Sequence, residues 1–147
     1  MKFKETLRRL VRLNNTPREI SLGVAIGVFI AITPLYGFHT IMVIIAAILV
    51  RRANKIAILA GTNISIPPTF PFITWTGYEI GRLILRGDYP DLNWAYFKQF
   101  SIKRIQEFYY PLFIGSLILG LILAVVFYFI TLSVILGWKR RRRLRPQ

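Results

Sequence analysis

A chain of 147 residues with 20 Lys and Arg against 6 Asp and Glu has a formal charge of +14, yet 54% of its residues are hydrophobic. Its length suits a single domain, and no charged residue occurs over 20–50, 56–78 or 109–138, which excludes an ordinary basic soluble domain. Each of these runs exceeds the roughly 20 apolar residues that cross a hydrocarbon core of about 30 Å, so the chain reads as an all-α, polytopic integral membrane protein, one membrane domain over 1–147.

The same segregation argues against nucleic acid as a partner. The cations lie at the ends of apolar runs, where they set topology, rather than along one binding face. No cysteine is present, which removes disulfides, thiol catalysis and thiolate metal sites. Residues 1–18 are basic but lack an apolar core leading to a small-residue cleavage site, so no cleaved signal peptide is expected.

Residues 1–15 form a predicted basic amphipathic helix, with Phe3, Leu7, Leu10 and Val11 at helical spacing and Lys2, Lys4, Arg8, Arg9 and Arg12 on other faces. That pattern suits a helix lying among lipid headgroups. It equally suits a cytoplasmic helix packed on the protein. Thr16-Pro17-Arg18-Glu19 then signals a helix start, with Thr16 as cap, Pro17 at the first position and Glu19 completing a capping box.

The first broken segment covers 17–50. Gly23 and Gly27 give it a G-x-x-x-G face for close helix approach. Pro34 and Gly37 interrupt it. A continuous helix over 20–50 would be about 46 Å long, too long for the bilayer without strong tilt. Two halves of about 20 Å are each too short to span, so the economical reading is a hairpin that enters and leaves on one side. A single helix kinked at Pro34 is the plainer alternative.

Arg51, Arg52 and Lys55 form a tight basic loop, with Asn54 placed to cap the next helix. The second broken segment, 54–86, is interrupted at 66–71, where Pro67, Pro68 and Pro71 forbid a continuing helix. Gly77 and Gly81 make a second G-x-x-x-G face, and Gly87 can end the helix. Residues 91–107 read as an interfacial amphipathic helix and 109–138 as a long transmembrane helix with Pro111 near its start, followed by a basic tail over 139–147. Ser116 and Gly120 make a small-xxx-small pair on that helix.

The two breaks share a pattern. Positions 27–40 and 61–74 are related by a shift of 34 residues, and six of the fourteen positions are identical, Pro34/Pro68 and Thr40/Thr74 among them. The basic residues fall in groups of six before residue 20, three at 51–55, five at 82–104 and six at 139–145. A re-entrant first segment and a crossing second one place fifteen inside against five outside, the arrangement the positive-inside rule prefers, with both termini inside. The internal similarity instead suggests one geometry for both copies.

No catalytic constellation is visible. His39 is the single histidine and the acidic residues are scattered, so triad, paired-carboxylate and metal-hydrolysis chemistry lack parts. No phosphate-binding loop or dinucleotide fingerprint is present, so the chain reads as a non-enzyme with no cofactor and no metal. Interrupted apolar helices offer another kind of site, because freed N–H groups face anions and freed carbonyls face cations. The candidate substrate-binding residues are Thr33, Pro34, Tyr36, His39 and Thr40 at the first break and Asn63, Ser65, Pro67 and Thr69 at the second. Arg51, Arg52, Lys55 and Arg82 are candidate headgroup or topology cations. Against a ligand role, Ser and Thr in such helices often bond the preceding turn. Glu79 lies at membrane depth, where an acid is a functional candidate, but pairing with Arg82 one turn on is the plainer reading.

The motifs Gly23-x-x-x-Gly27-x-Phe29, Pro34-x-x-Gly37-x-His39-Thr40, Arg52-x-Asn54-Lys55, Gly61-Thr62, Ser65-x-Pro67-x-Thr69 and Pro71 resemble those of a family of small bacterial integral membrane proteins, domain of unknown function 2062. The resemblance covers about residues 10–137. Where the family tends to show Asn-Pro, this chain has Ile66-Pro67, so any role of that asparagine would fall to Asn63. The resemblance implies a bacterial inner-membrane protein without assigned activity, and relatives joined to glycosyltransferase domains associate it with envelope polysaccharide or lipid-carrier work. The expectation is therefore a multi-pass protein with cytoplasmic termini that binds or translocates a small or lipidic anionic substrate at its two broken helices. The bilayer, anionic lipids included, and a second copy of the chain are its expected partners. The alternative is a non-transporting scaffold or assembly factor for a cell-envelope complex.

Overall fold

The computed structural model describes residues 15–35, 37–63, 69–86, 89 and 102–143, and these form five helices without a strand. The predicted helix over 1–15 lies, but for Asn15, outside the described residues, as do Gly87 and the first part of 91–107.

Helix α1, Pro17–Ile32, starts where the local signals place it. The Thr16 hydroxyl accepts from the Glu19 N–H at 3.3 Å, and the Glu19 carboxylate accepts from the Thr16 N–H at 2.9 Å, so the capping box closes. The helix stops because Pro34 forces Thr33 into extended backbone, at φ −65° and ψ 127°. A tight turn follows, with Leu35 N–H donating to the Thr33 carbonyl at 2.8 Å and Phe38 N–H to the Leu35 carbonyl at 3.1 Å. Gly37 sits in it at φ 89°, and no atom lies within 4 Å of where a Cβ would stand, so its conformation rather than crowding demands glycine.

Helix α2, His39–Leu49, runs back along α1. The return is shown by the Asn54 N–H, which donates to the Glu19 carbonyl at 3.1 Å. The first broken segment is thus a helical hairpin. A cluster of Ile30, Val43, Ala53 and Ile58 holds it, with Leu22, Ile26, Met42 and Ala46 packed around. Only one side of α2 is used: Val43 is buried, while Ile41, Ile44, Ile45, Ile48 and Leu49 are exposed.

Asn54 caps α3, Lys55–Thr62, its side-chain oxygen accepting from the Ala57 N–H at 2.9 Å. Gly23 faces Asn54 and Ala57, and Gly27 faces Ile58 and Gly61, so α3 runs parallel to α1 at backbone-to-backbone contact. Beyond Asn63, helix α4, Phe70–Leu85, lies on α5, Ile102–Arg143. Gly77 meets Ser116 and Gly81 meets Pro111, which makes α4 antiparallel to α5. Gly120 meets Phe29 and Ile32, while Ile20 and Ile135 share one cluster, which makes α1 antiparallel to α5 as well. Helices α3 and α4 therefore advance in one direction along α5. The second broken segment is a progression, not a hairpin, and the two copies of the sequence pattern take different geometries. Helix α4 closes on Arg86 in the left-handed region, at φ 48°.

One boundary is corrected. The sequence separates an interfacial helix ending at 107 from a spanning helix starting at 109, but α5 is continuous across both for 42 residues, about 63 Å. Pro111 removes the N–H that would bond the Glu107 carbonyl, yet the helix continues through it; Pro111 is fully buried, with its backbone against Gly81 of α4. Over Ile105–Arg141, α5 is the one described helix long and apolar enough to cross a membrane.

Candidate functional site

Helix ends flanking both breaks reach the middle of α5. Ile32, just before the first, faces Gly120; Ile73, just after the second, packs against the cluster that holds Ile32, as do Leu119 and Leu123. Pro34 is fully buried, and its carbonyl accepts a hydrogen bond from the Tyr109 hydroxyl at 3.0 Å. That bond ties the hairpin turn to α5 across 75 residues of sequence.

The candidate polar groups are less convergent. Thr33 is buried, and its hydroxyl donates to the Phe29 carbonyl of its own helix at 2.9 Å. Asn63 is exposed, and its amide donates to the Leu59 carbonyl at 2.9 Å, beside the Thr62 hydroxyl on the same acceptor at 2.8 Å. His39 is half-buried at the start of α2, whereas Thr40 and Thr69 are exposed. Tyr36, Ser65 and Pro67 lie outside the described residues. Among the described residues every buried side-chain nitrogen and oxygen has a hydrogen-bond partner. Thr33 therefore serves the C-terminus of α1. Thr33→Val is expected to lower stability by about 1 kcal/mol, the net worth of one such bond, with Thr33→Ser restoring most of it; the midpoint of denaturant unfolding in detergent measures both.

The structure does not bring Arg51, Arg52 and Lys55 to the breaks. They are exposed at the base of the hairpin, separated from Pro34 by the length of α1, about 24 Å for 16 residues. Exposed Arg18, Lys139, Arg140 and Arg141 belong to the same end, because α5 finishes beside the start of α1. Arg82, Arg86 and Lys103 occupy the opposite end, where Arg82 pairs with Glu79 at 3.3 Å, the plainer of the two readings of that acid. Gly23, Gly27, Gly77 and Gly81 all face other helices of this same chain.

Sequence reasoning missed two features. Gly115, whose missing side chain lets Gly77 and Gly81 approach, is a backbone-to-backbone contact of the α4–α5 crossing, although the small-residue pair read from sequence was Ser116 and Gly120. A groove of about 590 Å³ also lies between the first break and the start of α5, lined by Leu35, Ile105, Gln106, Tyr109, Tyr110 and Phe113. Its one signal in the sequence is the aromatic run around Pro111.

These features describe an all-helical protein in which two interrupted helical segments are laid on one long apolar helix. The chain belongs to the family described as an uncharacterised protein conserved in bacteria, domain of unknown function 2062, whose model matches residues 1–144. Neither a curated protein nor a solved structure matches it significantly.

Proposed function

We propose that the chain is a non-enzymatic, multi-pass protein of the bacterial inner membrane that binds or moves a small or lipidic anionic substrate beside its two broken helices. The observation that carries this reading is that Ile32 and Ile73, which flank the two breaks, belong to one apolar packing with Leu119 and Leu123 in the middle of α5, the depth at which interrupted helices of membrane transporters hold their substrates. In this arrangement the first segment is re-entrant, the second crosses and α5 returns. Both termini then share the cytoplasmic side with Arg18, Arg51, Arg52, Lys55 and Lys139, as the positive-inside rule favours. Exposure supports a lipid surround: α5 presents Leu121, Ile122, Val125, Val126, Phe129, Ile130, Val134 and Leu136 outward.

The test is lipid retention. Protein purified from mixed bilayers is expected to keep phosphatidylglycerol in preference to phosphatidylethanolamine when weighed intact by native mass spectrometry. Equal loss of both lipids on mild delipidation would sink the substrate reading. The scaffold reading draws on the exposed outer faces of α2 and α5, because the glycine faces are already occupied within the chain. It predicts constant stoichiometric contact with another chain, or a homo-oligomer, and no lipid preference.

A further inference from the structure

We infer that the groove beside the first break seats one hydrocarbon chain of a negatively charged bilayer phospholipid, with the headgroup held at the start of α5. This deepens the proposed function and rests on its membrane reading. Positions 105, 106, 109, 110 and 113 recur at helical spacing, so the groove wall is a single face of α5. Leu35, carried by the hairpin turn, forms the opposite wall. The turn is kept there by the Tyr109–Pro34 bond, and Tyr109 stacks on Phe113 with ring centroids 6.1 Å apart. A volume of about 590 Å³ falls within the range of about 300–1,000 Å³ typical of small-molecule sites.

The lining is graded. Phe113 and Leu35 are apolar, and Gln106, nearer the start of α5 than Phe113, supplies the one amide. Lys103 is exposed, three residues before Gln106 and seven before Tyr110, so helical geometry puts it on the same side of α5 as both. The opening turn of α5 carries exposed Lys103, and exposed Arg86 closes α4 at the same end. Cations at the mouth and hydrocarbon at the base match an anionic amphiphile. The breaks themselves offer no such gradient, since the Thr33 and Asn63 side chains bond their own helices.

Photo-crosslinking separates this inference from the broader reading. Full-length protein in nanodiscs is loaded with phosphatidylglycerol bearing a diazirine midway along one acyl chain, and adducts are mapped by peptide mass spectrometry. Adducts are expected on Leu35 and the 105–113 stretch. Leu35→Trp, which fills the groove, is expected to cut them at least fivefold while the melting temperature stays near wild type. Lys103→Glu is expected to lower them for phosphatidylglycerol but not for phosphatidylethanolamine carrying the same label. If Leu35→Trp does not fold, Ile105→Trp fills the same groove from α5. Adducts confined to α2 or to 121–136, or undiminished in a folded groove-filled variant, would overturn the groove assignment. Failure of the wild-type protein to prefer either lipid anywhere would instead overturn the proposed function.

Discussion

Replacing Gly27 by leucine is expected to remove the folded protein altogether, and replacing it by alanine to cost about 3 kcal/mol or more, at the upper end of core overpacking. A Cβ on Gly27 would fall on the Ile58 carbonyl and stand 2.8 Å from Gly61 Cα; one on Gly61 would fall on the Val24 carbonyl and stand 2.9 Å from Gly27 Cα. Backbone faces backbone on both sides, so no side chain is available to swing away. The helices must separate instead, breaking the contact that positions Asn54 beside Glu19 and closes the hairpin. With total stability of about 5–15 kcal/mol for a typical domain, a loss of this size leaves a large unfolded fraction. Gly27→Ala combined with Gly61→Ala is expected to cost less than the two alone would sum to, because the first Cβ already opens the gap for the second. Gly137→Ala is the control: nothing lies within 4 Å of its Cβ position, and helix propensity favours alanine by up to about 1 kcal/mol. Unfolding midpoints in one detergent rank all four variants. A Gly27→Ala midpoint equal to wild type would show that α1 and α3 do not meet as described.

The second large effect is all-or-none. The chain has no cysteine, so a thiol introduced at Arg52, Arg86 or Lys139 is the sole target of a membrane-impermeant maleimide. All three residues are exposed. The proposed topology expects Arg52→Cys and Lys139→Cys to react only once the inner face is opened, and Arg86→Cys to react from outside in intact cells. Labelling of Arg52→Cys and Arg86→Cys from the same side would mean that the second segment turns back. Labelling of Arg52→Cys and Lys139→Cys from opposite sides would mean that only one of the second segment and α5 crosses, whereas labelling of Arg52→Cys from outside in intact cells would sink a re-entrant first segment that starts in the cytoplasm.

The legible parts of this fold are those with a range of three or four residues. The Thr16–Glu19 box and the Asn54 cap follow from which side-chain oxygens can reach nearby N–H groups, so sequence alone places both helix starts. The first interruption was legible for a similar reason, since Pro34 constrains Thr33 whatever surrounds it. Pro111 shows the limit of that rule. Its ring ought to begin a helix, but α5 runs through it where its backbone lies against Gly81 of α4.

The site was legible in outline only. That Thr33 and Asn63 lie at breaks is a matter of order along the chain; that their polar groups turn back onto Phe29 and Leu59 is a matter of rotamer and local backbone. The groove joins Leu35 to residues 70 or more positions away, and no periodicity links such distant segments.

The doubled pattern at 27–40 and 61–74 draws the division clearly. By itself the sequence determined that apolar helices occur, where they are capped and where Pro34 stops the first, because these are consequences of local backbone chemistry and charge placement. Only the tertiary structure decided that one copy folds back while the other runs on. Gly27 seats against Gly61, and Gly77 and Gly81 seat against α5. A glycine advertises that a backbone will come close, but which backbone comes is settled by the packing of the whole chain.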